Sequence, residues 1–213
     1  MHQKCNVSLR AYGPRSSPAP KRTYLRHHLG AGPFKVNFVT DYNTLYEQEP
    51  DALGAPYAPL HASIRQHVPD ESRFLDIGCG QGRDALTLAR LGHHVVGMDY
   101  APASIKAMQD NATAEGLSVN GVVGDLTEWT TSEMFDVLLC DRTLHMLPKQ
   151  AHRDALARLI PQVSPNGFVF LVDEPSNMAG LKAVLTASNR HPVVLRETKG
   201  DYFVQLDQNE SNS

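Results

Sequence analysis

The stretch FLDIGCGQGRD, residues 74–84, decides the fold. It begins with a short apolar run that contains one acid, Asp76, and continues with glycines at every second position. An apolar run that leads through a glycine turn into a helical stretch is typical of the first strand, turn and helix of an α/β sheet that binds a nucleotide-like ligand. The dinucleotide fingerprint requires a glycine where this chain has Arg83. The stretch therefore predicts a glycine-lined ligand site, and its spacing disfavours a nicotinamide dinucleotide.

Short β-forming runs alternate with helical stretches beyond position 41. Such alternation predicts a parallel sheet wrapped by helices on both faces. Two final β-runs, at 192–198 and 201–208, are separated by a Lys-Gly pair, which is short enough for a hairpin. We therefore predict a doubly wound, Rossmann-like α/β fold, mostly parallel, with an antiparallel C-terminal hairpin. The earlier β-runs lie at 74–77, 94–98, 121–123, 135–140 and 168–172.

Composition predicts one globular unit in a reducing compartment. The chain has 213 residues, 41% of them apolar and 20% charged, which suits a single α/β domain. No apolar stretch reaches the roughly 18 residues of a membrane helix, and the start lacks the apolar core of a secretory signal. Three widely spaced cysteines without a CxxC pair indicate neither a disulfide framework nor a zinc site. We expect a cytoplasmic protein with no membrane partner and no bound metal.

Charge divides the chain into two parts. Residues 1–40 contain seven Lys or Arg and no acid, so the remainder has 13 bases against 23 acids. We interpret 1–40, which is also rich in Pro, Gly and Ser, as a flexible basic arm, and 41–213 as the folded domain. A targeting segment, a nucleic-acid contact and translation from upstream of the natural start would give the same composition. The acidic remainder argues against a broad nucleic-acid surface.

A longer motif carries a family resemblance. The segment LDIGCGQGRDALTLARLGHHVVGMDYAPASIKAMQ, residues 75–109, resembles the first two motifs of the class I S-adenosylmethionine-dependent methyltransferases. It is most similar to the small-molecule branch that includes the tellurite-resistance and thiopurine methyltransferases. The resemblance extends from about residue 41 to about residue 208. It implies S-adenosylmethionine as cofactor and a small molecule as methyl acceptor.

The resemblance also implies roles for individual residues. In the family, the glycine loop touches the methionine moiety, an acid at the end of the second strand binds the ribose, and a Gly-Asp pair flanks the adenine. The fourth motif meets the cofactor at the end of its strand. Carried onto this sequence, the implied cofactor residues are Asp76, Gly78, Gly80, Gly82, Arg83, Asp99, Tyr100, Asp125, Leu126, Cys140, Asp141 and Arg142.

Four of these residues have a second interpretation. Asp99 can cap the following helix, and Asp125 can be a turn residue. Cys140 can be a small apolar filler of the core, and Arg83 can pair with an acid on the surface.

A segment upstream of the glycines resembles the part of the family that covers the cofactor. It reads YNTLYEQEPDALGAPYAPL, residues 42–60, and contains aromatic residues, prolines and glycine. Tyr42 and Tyr46 are the implied contacts to substrate or cofactor. Their helical spacing is equally compatible with a place in the core.

Catalysis leaves a weaker signal. Methyl transfer from a sulfonium is an in-line displacement with a neutral leaving group, so holding the two reacting atoms in place supplies much of the acceleration. Hydroxyl acceptors also need a base, and His145, shortly after the fourth strand, is the candidate because histidine titrates near neutrality. A structural histidine in the following helix is the alternative.

Absent motifs narrow the acceptor. The chain has DRTL, and no (D/N)PP(Y/F), after the fourth strand, and it has no Pro-Cys nucleophile. Amino-methylating and carbon-5-methylating nucleic-acid enzymes are therefore disfavoured. The acceptor classes left open are a thiol, a chalcogen oxyanion, a carboxylate and a hydroxyl. A magnesium-assisted enzyme using Asp141, Asp173 and Glu174, a nicotinamide oxidoreductase and a non-catalytic cofactor-binding module remain as alternatives.

Overall fold

The computed structural model of the chain describes residues 39–49 and 52–207. The predicted basic arm lies outside the described residues except for its last two positions, which begin the first helix. The helices are α1 (Val39–Gln48), α2 (Ala58–His67), α3 (Arg83–Arg90), α4 (Pro102–Glu115), α5 (Lys149–Leu159) and α6 (Pro175–Ala187). The strands are β1 (Arg73–Ile77), β2 (His94–Asp99), β3 (Val119–Val123), β4 (Phe135–Asp141), β5 (Val163–Val172), β6 (His191–Glu197) and β7 (Asp201–Asp207).

The seven strands form one sheet in the order β3-β2-β1-β4-β5-β7-β6. The first five of these are mutually parallel, whereas β7 runs antiparallel to both β5 and β6. The doubly wound sheet with an antiparallel C-terminal hairpin is thus confirmed. The strand order reverses between β1 and β4, and ligands of such sheets bind outside the carboxyl ends of the strands at this reversal.

Helices cover both faces of the sheet. Buried side chains of α2, α3 and α4 pack on one face, and those of α5 and α6 pack on the other. The strands β1 and β4 are buried over almost their whole length because both of their faces are covered. In α3, Ala85, Leu88 and Ala89 face the sheet as the 3.6-residue period requires. The apolar spacing of α3 also predicts burial of Leu91, but this residue lies at the C-cap of the helix and is 37% exposed.

Strand starts were the least predictable boundaries. β5 begins at Val163 and not at 168, because a bulge near its start admits Pro165 and Gly167 into an extended segment. β3 begins at Val119, two positions before its predicted start. None of the helices in residues 39–49 and 52–207 has the length and apolar character needed to span a membrane.

Candidate cofactor and acceptor site

The loop after β1 contains Gly78, Gly80 and Gly82 and leads directly into α3. The three glycines have positive φ angles of 69°, 53° and 86°. The N–H groups of Gly78 and Cys79 donate to the carbonyl of Met98 in β2 at 2.7 and 3.1 Å. The loop is therefore fastened to the neighbouring strand by its own main chain. It forms a fixed floor at the carboxyl ends of β1 and β2.

Side chains of the protein approach this floor closely. A Cβ on Gly80 would lie 2.6 Å from Leu53 Cδ1 and 3.1 Å from Tyr46 Oη. A Cβ on Gly82 would lie 2.5 Å from Met108 Cγ of α4. A side chain at either position would therefore strain the backbone at its positive φ and displace these neighbours. The assignment of these glycines to the cofactor stays a prediction.

Asp76 is the buried acid next to the floor. The residue is 3% exposed, and within residues 39–49 and 52–207 its Oδ2 is the one buried carboxylate oxygen that has no hydrogen-bond partner. Burial raises the pKa of the Asp76 carboxyl well above its ordinary value, Asp84 and Asp141 raise it further, and Arg83 opposes them. A buried, unpaired carboxylate is costly, so a cation bound beside Asp76 would be strongly stabilised.

Asp99 ends β2 and joins two parts of the site. Its Oδ2 accepts a hydrogen bond from the Gly80 N–H at 2.9 Å, and its Oδ1 accepts one from the Ala101 N–H at 2.9 Å. The residue therefore ties the glycine floor to the start of α4, which is close to the capping role considered above. A carboxylate has about four lone-pair positions. Both oxygens thus retain the capacity to accept from ligand hydroxyls.

One of the residues that the resemblance assigns to the ribose and the adenine carries an unpartnered polar group. The hydroxyl oxygen of Tyr100 is buried without a hydrogen-bond partner, and burial raises its pKa, with Asp99 and Asp125 adding to the effect. Asp125 is exposed, and its Oδ1 accepts from the N–H and Oγ1 of Thr127 at 2.8 and 2.7 Å, as in a turn. The Leu126 side chain is buried in the core. The cofactor roles of these three residues stay predictions.

Arg83 lies at the centre of a buried charge network. Its side chain is 10% exposed and its Nη2 contacts Asp84 Oδ2 at 2.5 Å and also Asp141 Oδ2. Arg142 Nε donates to Asp141 Oδ1 at 2.9 Å, and His61 Nε2 lies 2.7 Å from Asp84 Oδ1. Burial alone would raise the pKa of Asp84, but His61 and Arg83 together lower it. Arg83 therefore pairs with acids as the second interpretation proposed, in the interior and not at the surface.

The segment that leaves β4 is held between the two strands beside it. Cys140 is buried in the core, where burial raises the pKa of its thiol, as expected of an apolar filler. Arg142 has a left-handed φ of 56°, and its N–H donates to the last carbonyl of β5 at 2.7 Å. Thr143 Oγ1 donates to the last carbonyl of β1 at 2.9 Å and fills the space that a Cβ on Gly78 would enter.

His145 lies in a 3₁₀ turn, Leu144–Met146, directly after this segment. Its main-chain N–H donates to Asp173 Oδ2 at 3.0 Å, and its unpartnered Nδ1 is 3.9 Å from the same oxygen. The other oxygen of Asp173 accepts from the Glu174 N–H at 2.7 Å and from Asn177 Nδ2 at 2.8 Å. The His145 side chain is 22% exposed although Nδ1 is buried. The exposed part of the ring therefore lies away from Asp173.

The acids of the magnesium alternative have other partners. Both oxygens of Asp141 are bound by arginines, and Asp173 is bound by three N–H groups. In the part of the chain that the structure describes, no three or more His, Cys, Asp and Glu side chains are placed to hold one metal ion. The contacts of these two acids are those of structural groups.

The predicted cover is described in part. Tyr46 is buried beside the glycine floor, whereas the side chain of Tyr42 lies outside the described residues. Sequence reasoning missed Gln81 and Asp84, which stand inside the quoted stretch next to predicted residues. It also missed His61 and Thr143, whose partners lie 23 and 66 positions away and leave no local signal.

Comparisons with known proteins agree with this geometry. Residues 74–167 match the model of a family described as a methyltransferase domain. The N-methyltransferase NodS of Bradyrhizobium japonicum, solved with S-adenosylhomocysteine, superposes with a TM-score of 0.62 at 16% identity over 79% of this chain and 98% of that one. A TehB-like S-adenosylmethionine-dependent methyltransferase of Corynebacterium glutamicum gives 0.59 at 20% identity over 79% and 97%.

A curated relative is more similar in sequence over a shorter stretch. The ubiquinone biosynthesis O-methyltransferase of Xylella fastidiosa is 32% identical over 54% of this chain and 50% of that protein. The chain thus spans about half the length of this relative, and less of several others.

The strand order, with its reversal between β1 and β4, is that of a Rossmann-like architecture. Residues 74–167, which match the methyltransferase-domain model, include most of β1, all of β2, β3 and β4, and the start of β5. The fold that the resemblance to class I S-adenosylmethionine-dependent methyltransferases implied is therefore confirmed, and the match in sequence to a methyltransferase domain extends over residues 74–167.

Proposed function

We propose that this protein transfers a methyl group from S-adenosylmethionine to a small-molecule acceptor. The observation that carries the proposal is the unpartnered Oδ2 of Asp76, buried at the reversal of the sheet. S-adenosylmethionine has a sulfonium and an ammonium group, and either cation would compensate this carboxylate. NAD carries a pyrophosphate, which the surrounding acids would repel.

Two other residues fit the rest of the cofactor, and a third, Arg83, pairs with the neighbouring acids. The oxygens of Asp99 have spare acceptor capacity beside the glycine floor, which suits the ribose hydroxyls. The buried hydroxyl of Tyr100 has no partner and suits a polar edge of the nucleoside. Arg83 holds Asp84 and Asp141 in place, so that Asp76 is left as the acid that meets a cation.

The chemistry that the cofactor supplies when bound is a methyl group on a positive sulfur. The residues of this chain need to orient the donor, exclude water and hold the acceptor in line with the methyl group, since such positioning supplies much of the acceleration. The glycine floor with the acids beside it, and the segment Arg142–Thr143, are suited to that task. Catalysis by position does not require a nucleophilic side chain.

His145 is the proposed base for acceptors that must lose a proton. Asp173 holds the main chain of His145 and lies 3.9 Å from its Nδ1, so a small ring rotation would let Nδ1–H donate to the carboxylate. Nε2 would then be the basic nitrogen, on the side of the ring away from Asp173. An acid that fixes the tautomer in this way is a familiar support for a histidine base.

A hydroxyl is the acceptor that these observations favour. A hydroxyl needs the base that His145 provides, whereas a thiol is largely able to react without one. A relative named as an O-methyltransferase supports the same choice, and its named pathway supports a small molecule. Thiols, carboxylates and chalcogen oxyanions belong in the same acceptor screen.

A thermal-shift comparison tests the cofactor assignment. S-adenosylhomocysteine at about 100 times its Kd should stabilise the protein by about 2.7 kcal/mol, and NAD at the same concentration should leave the melting temperature unchanged. No shift with S-adenosylhomocysteine, or an equal shift with NAD, would contradict the proposal.

A turnover assay with labelled cofactor tests the base. His145→Ala should lower kcat for hydroxyl acceptors by about a hundredfold and change turnover of thiols far less. Equal turnover of hydroxyls by variant and wild type at every pH would remove His145 from the mechanism. An absence of turnover with every acceptor, despite cofactor binding, would favour a non-catalytic binding module.

A further inference from the structure

Gln81 stands between two glycines of the floor and is almost completely buried, at 7% exposure. Its side-chain amide makes three hydrogen bonds, two as donor and one as acceptor. Nε2 donates to the carbonyls of Tyr46 and Glu49 at 3.1 and 2.9 Å, and Oε1 accepts from the Ala52 N–H at 3.3 Å. All three bonds reach residues 29 to 35 positions earlier in the chain. One side chain of the glycine floor thus holds the segment that precedes α2.

That segment lies over the floor. We call residues 43–49 and 52–53 the cover. Leu53 and Tyr46 occupy the space beside Gly80, as the contacts of an added Cβ show. At the other end of the cover, Asn43 Oδ1 accepts a hydrogen bond from the Ala103 N–H of α4 at 3.0 Å. The cover is therefore joined to the two elements that Asp99 also joins, the floor and the start of α4.

The main-chain groups that Gln81 binds need partners. Tyr46 lies in the last turn of α1 and Glu49 directly follows that helix. Carbonyls at the end of a helix lack intrahelical partners, and side-chain donors commonly satisfy them. An amide is suited to this place because it offers two donors and an acceptor at once. A carboxylate would place an oxygen against two carbonyls.

We propose that Gln81 is a positioning residue for the cofactor: it fixes the cover on the glycine floor and so couples order in the cover to occupancy of the cofactor cleft. The inference rests on the proposed function, because the ligand is the proposed cofactor. The floor and the cover move as one when the amide is present. A ligand that orders either of them therefore stabilises the other, and leaves slowly because both must open together.

The test uses the whole chain, with S-adenosylhomocysteine as the probe. Gln81→Met keeps the approximate shape of the side chain and removes its amide. Gln150→Met, an exposed glutamine of α5 that bonds to Asp154, is the matched control. The measured quantities are the dissociation rate of the probe and the hydrogen–deuterium exchange of residues 43–53 with and without it.

The expected result for Gln81→Met is about tenfold faster dissociation of S-adenosylhomocysteine, with little change in its association rate. The probe should slow exchange of residues 43–53 in the wild type and in Gln150→Met, and no longer in Gln81→Met. If Gln81→Met fails to fold, Gln81→Asn, which is shorter by one methylene, is measured in the same way.

Dissociation at the wild-type rate together with wild-type protection of the cover would overturn the inference alone. A residue with only a structural role would lower the melting temperature of the ligand-free protein and leave the dissociation rate unchanged. A wild-type protein that does not bind S-adenosylhomocysteine would overturn the proposed function, and the inference with it.

Discussion

Asp76 in β1 and Asp141 at the end of β4 are buried acids on adjacent parallel strands, yet their surroundings differ. Asp141 is bound by Arg83 and by Arg142. Asp76 Oδ2 has no hydrogen-bond partner, and burial raises the pKa of its carboxyl, with Asp84 and Asp141 adding to the effect. Both acids are buried, but only Asp141 has arginine partners for its carboxylate.

This difference separates structure from binding. An acid whose partners are within the protein contributes to the fold, and its partner should be costly to remove. An acid without a partner destabilises the ligand-free protein and should contribute only when a cation binds. Replacements at the two strand ends should therefore fail in different ways, one in stability and the other in affinity.

The largest expected effect is on the stability of the protein when Asp141 loses its partner Arg83. Arg83→Met should lower the free energy of unfolding by about 3–5 kcal/mol, because it leaves Asp84 and Asp141 buried with fewer partners. Urea unfolding of the ligand-free protein measures this loss. A change below about 1 kcal/mol would show that the network around Arg83 is not structural.

The next largest effect is on cofactor affinity, when the unpartnered acid Asp76 is replaced. Asp76→Asn should weaken S-adenosylmethionine binding tenfold to a hundredfold, since a charge-assisted contact contributes about 1.5–3 kcal/mol. The ligand-free variant should be at least as stable as the wild type at pH 8. Titration calorimetry measures the affinity, with Asp110→Asn, a change at an exposed acid of α4, as the control. Unchanged affinity, or a loss of stability without a loss of affinity, would contradict the binding role proposed for Asp76.

A smaller loss of affinity is expected at the end of β2. Asp99→Ala should weaken S-adenosylmethionine binding about tenfold, because it removes the acceptor proposed for the ribose and the tether of the Gly80 N–H. Asp110→Ala, which removes an exposed acid of α4, should change affinity by no more than about twofold. Equal effects of the two replacements would mean that Asp99 acts only as a cap.

The smallest expected effect is the contribution of Asp76 to the pH dependence of stability. The raised pKa of Asp76 means that the folded protein retains a proton that the unfolded chain releases. The free energy of unfolding should therefore fall as pH rises from about 4 through the raised pKa, by about 1.4 kcal/mol for each unit of difference. Asp76→Asn removes this contribution, so the stability of the variant relative to the wild type should increase over that range. A difference that is constant with pH would contradict the assigned environment of Asp76.

The fold was predictable because its signals are local. The glycine turn before Arg83, the alternating runs and the Lys199-Gly200 break each act within a few residues, and each has its expected place in the sheet. The start of β5 was not predictable, because its bulge depends on pairing with β4.

The site was predictable only in part. The acids at the strand ends and His145 could be found from motifs, but their partners could not. Asp76 and Asp141 look alike in sequence, and the difference between them arises from Arg83 and Arg142, which both contact Asp141 although Arg83 is 58 positions away from it. The link from Gln81 to the cover spans about thirty positions and depends on tertiary packing alone.

The most direct test is a crystal structure of this protein with S-adenosylhomocysteine. The account predicts the ligand in the cleft at the ends of β1 and β2, with its ammonium group compensating Asp76 directly or through one water and its ribose on Asp99. A ligand bound elsewhere, or a cleft that stays without ligand at saturating concentration while Asp76 keeps its unpartnered oxygen, would contradict it.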